Sequence, residues 1–490
     1  MSVTTRPKAR VTTCIYCGQA AGSREHLFLA SCGGLREDTS ILCATCNGEF
    51  GRTLDIQLAA SLREINGLLG VQDRNRKRQP AIFNDPTTEV PYEVDRYGAA
   101  RVAQLIIRNE STEGNVKRFE VTAGTQKQID DWVASQKASG LKVVSRTRPR
   151  VSHTSGPPRL SKQVTFSNKE TLRESARIAL NFLSHFEPQV ARMPELIHVK
   201  QYVKNPSSPE HAFHTMIDPQ DHFGENSFRF GHRVVLVYDL DQTHLYALVS
   251  YFSALTVLVN LGKLTLTAPF VKVVDIDPLA ERLPDDLRQR DDIELAPESI
   301  PYQPVTEDDN DRFFDATEDR FVRLIEDIHL YQREQVPMTI SRYISQTGNQ
   351  LTEEELYARL ACADALIFDS LQAKILRISE EIEKLDESHA GYKVVVDVLR
   401  HMVGRPETAT SSEIHPSMVA IVEACRRKAT RIILEQHSKG VPITQIFLSG
   451  LLSEKGVIGH CTVTLVNQIV RATLGQQGYE ALSKRLSHNE

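Results

Sequence analysis

The chain has 490 residues and 55.1 kDa, with 58 Lys and Arg against 63 Asp and Glu and a formal net charge of −5. Its 41% hydrophobic and 25% charged residues describe a soluble globular protein and exclude a disordered or fibrous one. No apolar run reaches the ~18 residues of a membrane span. The polar N-terminus carries no secretory signal, so the expected location is the cytoplasm.

At roughly 150 residues per domain, the length suggests about three domains. The net charge hides an asymmetry. Residues 1–165 hold 24 Lys and Arg against 16 Asp and Glu, a balance of +8. The remainder holds 34 against 47, a balance of −13. A basic front is where a polyanion would bind, although solvated helix faces give the same split.

The first domain is expected over residues 1–70. It is turn-rich up to Asn47, after which Phe50, Leu54, Leu58 and Leu62 recur at helical spacing. The polar, basic stretch Gln72–Pro80 reads as a linker. A mixed α/β domain is expected over 71–304. Strands are expected at Val90–Val94, Val102–Ile107, Val116–Val121 and Leu141–Val144, with a helix over Gln126–Ser139. Arg146, Arg148 and Arg150 mark a basic loop, and Ser155–Pro158 breaks the chain. A helix over Thr171–Phe186 turns Ile178, Phe182 and Phe186 inward. Strands at Arg233–Tyr238, His244–Tyr251 and Thr256–Leu261 follow, with a turn over Asp239–Thr243.

After Pro297–Pro304 and the acidic patch Glu307, Asp308, Asp309 and Asp311, an all-helical domain is expected over 305–490. Glu353–Leu385 has heptad-like apolar spacing, read as core or as a seam for a homodimer or protein partner. Further helices are expected at Ser417–Gln436, Ile443–Leu452 and Thr462–Thr473. The fold class is α+β.

Five of the eight cysteines fall within the first 46 residues. Cys14 and Cys17 form one C-x-x-C pair, and Cys43 and Cys46 form the other. Two such pairs offer four thiolates to one tetrahedral zinc, which is structural because no coordination position stays open. Unrelated core cysteines or a redox pair are the plainer alternatives. Cys32, between the pairs, reads as a small buried residue.

Between the pairs stand Glu25-His26 and Gly33-Gly34, and the second pair reads Leu42-Cys43-Ala44-Thr45-Cys46-Asn47. In these residues the segment from Cys14 to about Leu62 resembles the four-cysteine branch of the HNH, or ββα-metal, endonuclease superfamily. The resemblance implies phosphodiester hydrolysis with His26 as general base. It also implies a catalytic Mg²⁺ or Mn²⁺ held by Glu25 and Asn47. These residue types suit the chemistry: an imidazole activates water near neutral pH, and a hard cation prefers oxygen ligands. Three positions depart from the pattern. Leu29 stands where many members have Pro, Asp38 where the central Asn sits, and Glu25 where Asp is commoner.

Ser175–Leu183 with the strands that follow resembles a segment of some stand-alone prokaryotic HNH proteins. A role in prokaryotic defence is among the expectations that follow. Arg24, Arg52, Arg74, Arg76, Lys77 and Arg78 are candidates for gripping phosphates, and by resemblance the expected partner is double-stranded DNA. Glu49 and Asp55 could add a metal contact or be solvated. His185, His211, His214, His222 and His232 lack a consistent ligand spacing. The competing reading of the whole is a zinc-stabilised nucleic-acid-binding protein without turnover.

Overall fold

In the computed structural model, the described residues are 13–73, 75–86, 88–97, 100–113, 116–142, 168–290, 302, 304–306, 309–348, 351–385, 390–403, 416–453 and 455–486. Arg74, the basic loop from Arg146 to Arg150, the break at Ser155–Pro158, and Glu307 and Asp308 of the acidic patch lie outside them. The protein combines strands and helices, with a helical C-terminal region. It divides into two compact units. The first is Met1–Ala81 with Gln163–Ile328, and the second is Ile82–Lys162 with His329–Glu490. The units thus cut across the three consecutive segments read from the sequence.

The first unit opens with the hairpin β1 (Glu25–His26) and β2 (Glu37–Asp38), paired antiparallel with Glu25 opposite Asp38 and His26 opposite Glu37. Helices α1 (Ala44–Thr53), α2 (Asp55–Ser61) and α3 (Arg63–Leu69) follow. Phe50, Leu54, Leu58 and Leu62 are all buried, as their spacing requires. The stretch read as a linker is a tight turn. Asp73 Oδ1 accepts from the backbone N–H of Asn75 (2.8 Å) and Lys77 (2.9 Å), and Gln72 bridges to Arg78.

In chain order the second unit then takes β3 (Ala81–Asn84), β4 (Pro91–Val94) and β5 (Ala100–Val102), which form one sheet. The hairpin of β6 (Ile106–Glu113) and β7 (Val116–Thr122) follows, then α4 (Gln126–Ala138). Helix α4 starts at a capping box between Thr125 and Gln128. The strand expected at Leu141–Val144 is absent at residues 141 and 142, and the rest lies outside the described residues.

The first unit resumes with α5 (Lys169–Phe186), α6 (Ile197–Lys204), β8 (Ala212–His214) and α7 (Pro219–Phe223). Strands β9 (His232–Asp239), β10 (His244–Tyr251), β11 (Leu255–Lys263), β12 (Phe270–Ile276) and β13 (Leu287–Gln289) complete it. Together with β8 they form a six-stranded antiparallel sheet in the order β13-β12-β9-β10-β11-β8. Strand alternation sends Val235, Val237, Tyr246 and Leu248 to one face, where Ile217 and Phe223 cover them. Tyr251 lies on the other face and meets Ser175 of α5, oxygen to oxygen at 2.8 Å. Burial on both faces explains why β9 and β10 read as nearly continuous apolar runs.

The division between units falls within α8 (Asn310–Thr347). The second unit continues with α9 (Glu353–Arg359), α10 (Asp364–Glu383), α11 (Ala390–Val403), α12 (Pro416–Ser438), α13 (Gln445–Leu451) and α14 (Val457–Leu486). The heptad-like stretch is interrupted by a 3₁₀ turn at Leu360–Ala363. Its apolar residues Leu356, Leu360, Ile367, Leu371, Ile375 and Ile382 are buried in this unit's own core. Among the described residues no helix is long and apolar enough to cross a membrane.

The insert between the two cysteine pairs comes very close to the turn after β12 at a glycine. Gly33 has φ +88°, and a Cβ there would stand 2.4 Å from the Pro278 backbone. Gly33→Ala should therefore destabilise the protein by roughly 1–3 kcal/mol. Chemical denaturation with an intact chain would measure it, and an unchanged midpoint would show that this contact is dispensable.

Candidate active site

The four cysteines converge. The Sγ atoms of Cys14, Cys17, Cys43 and Cys46 all lie within 4.8 Å of one another, and those of Cys17 and Cys43 are 3.5 Å apart. A tetrahedral zinc with bonds of about 2.3 Å needs sulfurs about 3.8 Å apart, so the donor set fits. Gly18, at φ +73°, turns the first knuckle, and its N–H reaches the Cys14 carbonyl at 3.0 Å. Cys43 is the N-cap of α1, and its sulfur accepts from the Cys46 N–H. The cap is thus Cys43, and Asn47 lies inside the helix. Cys32 stays apart from the metal group. It is buried, its thiol is pushed up to about 12 by burial, and it is contacted by Asn66.

Between the knuckles, the hairpin sorts its side chains by alternation. Glu25 is buried, whereas His26 is partly exposed, with Nε2 3.5 Å from Glu37 Oε1. Arg24 donates through Nε to Glu37 Oε2 at 2.6 Å. Asn47 Nδ2 donates to Ser23 Oγ (2.8 Å) and to the Arg24 carbonyl (3.1 Å). These bonds fix the amide beside β1. Asn47, Arg24 and β1 are therefore brought together. Glu25, by contrast, faces the interior.

There it meets α5. Arg177 donates to Glu25 Oε1, to Asp55 Oδ1 and to both oxygens of Glu174. Asn181 Nδ2 donates to Glu25 Oε1 at 2.9 Å and to the His26 carbonyl at 3.2 Å. One turn further, His185 Nδ1 lies 2.8 Å from Asp38 Oδ2. His185 and the Ser40 N–H and hydroxyl hold Asp38 well below the usual carboxylate range. Asp38 thus accepts from the Ser40 N–H and hydroxyl, within its own local turn. Burial raises Glu25, against the pull of Arg177 and Asn181, and raises Glu174 to about 8. Asp55 thus belongs to an ion cluster, while Glu49 is exposed.

The sequence reading missed this polar stripe. Glu174, Arg177, Asn181 and His185 stand three or four apart on a helix whose apolar face was already accounted for. The signal was a run of polar residues at helical spacing beside that face. His232 is likewise structural. Nε2 lies 3.1 Å from the Cys32 carbonyl, Nδ1 accepts from the Phe252 N–H at 3.2 Å, and the ring stacks on Phe28 with centroids 4.5 Å apart. The backbone donor at Nδ1 puts the proton on Nε2.

With this geometry in place, the family comparison is specific. Residues 14–63 match the family model described as HNH endonuclease. The N-terminal segment is an HNH endonuclease domain with a four-cysteine metal site. The domain implies a nucleic-acid partner and supports a nuclease. No curated protein and no solved structure matches the chain. Of the basic candidates on and beside the HNH domain, Arg24, Arg52, Arg76, Lys77 and Arg78 are exposed, and Arg74 lies outside the described residues.

Two outcomes follow. Cys43→Ser should release the zinc and lower Tm by roughly 10 °C or more; metal analysis beside calorimetry checks this. Burial pushes His232 down to about 3 from an ordinary value of 6.5. Its neutral form contributes fully above pH ~6.5, and that contribution is lost as pH falls toward 3. His232→Phe, which cannot ionise, should therefore lose less stability than wild type between pH 7 and pH 5. Equal losses in urea titrations would contradict the assignment.

Proposed function

We propose that the protein is a metal-dependent endonuclease that hydrolyses phosphodiester bonds in DNA, with His26 as general base. The observation that carries this reading is the arrangement around β1. His26 stands partly exposed beside Glu37, and Asn47 is anchored to the backbone one residue before Glu25. His26 takes the proton of the attacking water, and Glu37 orients the ring and stabilises the imidazolium that results. Asn47 Oδ1 and the Glu25 carboxylate are the oxygen ligands that suit Mg²⁺ or Mn²⁺. When bound, that cation supplies charge neutralisation at the phosphate and at the leaving oxygen. Arg24, Arg52 and the Arg76–Arg78 turn grip the flanking phosphates without reading sequence. The zinc is structural. A place in prokaryotic defence and regulation by the helical unit complete the proposal.

One observation favours the non-catalytic alternative: the Glu25 carboxylate is buried and already bonded to Arg177 and Asn181. Cleavage of plasmid DNA with Mg²⁺ or Mn²⁺ separates the readings. His26→Ala should fold, keep its zinc, and cut at least about 100-fold more slowly than wild type. Wild-type rates in that variant would remove His26 from the mechanism, and an inert wild type would favour a binding protein.

A further inference from the structure

We propose that Asn181 and Arg177 on α5 are positioning residues of the nuclease site. They anchor Oε1 of Glu25 and the His26 carbonyl, so that Glu25 presents its other oxygen, Oε2, to the divalent cation. The proposal rests on the reading of Glu25 as a cation ligand. It extends the site beyond the matched segment of residues 14–63, because α5 begins at Lys169.

Three observations carry it. First, both α5 residues reach the same oxygen of Glu25. A carboxylate held at one oxygen keeps a fixed direction for the other. Second, Asn181 Nδ2 serves two acceptors, the Glu25 carboxylate and the His26 carbonyl. Only the NH₂ end of an amide can do so, which settles its orientation. One side chain thereby sets the spacing between the proposed ligand and the backbone of the proposed base. Third, that orientation leaves Asn181 Oδ1 buried without a partner among the described residues. An unpaired buried acceptor destabilises a fold. Here that acceptor stands open because the NH₂ end is committed to Glu25 and the His26 carbonyl. Arg177 itself is immobilised by Glu174 and Asp55, and α5 packs on the six-stranded sheet, so the anchor is rigid.

The test uses the full-length protein. Mn²⁺ binding is read from the electron paramagnetic resonance of free Mn²⁺, and cleavage is measured over a range of Mn²⁺ concentrations. Zinc content and melting serve as controls. Asn181→Leu should keep its zinc and bind Mn²⁺ about 10- to 100-fold more weakly, as expected when a residue orienting a metal ligand is lost. Its cleavage should recover when Mn²⁺ is raised in proportion, which a damaged fold would not do. Arg177→Lys keeps the buried charge and should show a loss of the same kind; it supplies the readout if Asn181→Leu does not fold. Glu25→Gln separates the two levels. If Glu25→Gln loses Mn²⁺ binding while both α5 variants bind as wild type does, the positioning role is overturned and the ligand role of Glu25 stands. If Glu25→Gln binds Mn²⁺ as wild type does, the ligand role falls and this inference with it.

Discussion

The buried guanidinium of Arg177 is the interaction on which the first unit depends. It gathers Glu25 from β1, Asp55 from α2 and Glu174 from its own helix, across sequence separations of 152, 122 and 3 residues. Three carboxylates around one cation would leave an excess of negative charge in a dry interior, which is costly. Burial accordingly raises both Glu25 and Glu174, against the pull of Arg177. Removing the cation from such a cluster would cost about 3–5 kcal/mol, because it strands the acids. The cluster therefore ties the HNH domain to α5.

The rest of the docking follows from the size of that domain. Two short strands and three short helices enclose little apolar volume, and small domains of this kind need metal or a neighbour. Here the knuckles bring four cysteine sulfurs together in an arrangement that fits a metal, and the insert between them leans on the sheet through Phe28 against His232 and Tyr251. Arg36 reaches the buried Asp286, and Arg192 reaches the Thr13 and Ser40 carbonyls. The hairpin that carries Glu25 and His26 is held from the zinc side and from α5. Such double support fixes the positions of two neighbouring side chains on a very short strand.

The second unit gives its apolar spacing a different use from the coiled-coil seam that heptads suggest. The buried positions of α9 and α10 are spent on an internal core shared with α11, α12 and α14. The 3₁₀ turn at Leu360–Ala363 breaks the continuous seam a long two-stranded coil requires. Val394 and Val398 remain 49% and 36% exposed on α11.

Local chemistry was legible in the sequence. Two C-x-x-C pairs point to a metal because each knuckle is built from adjacent residues, and the helical spacing from Phe50 to Leu62 was visible beside them. The strands β9 to β11 were visible because burial on both faces makes them uniformly apolar. The turn at Asp73 was read as a linker, since polarity alone does not distinguish an Asx-braced turn from a flexible one. What surrounds Glu25 was decided only by the tertiary structure. Strand alternation in a two-residue hairpin cannot be assigned without knowing which face is covered. The residues that cover it, Arg177, Asn181 and His185, lie about 150 positions away on a helix whose apolar stripe already explained its burial. A contact between distant segments depends on how the whole unit packs, and no local pattern encodes it.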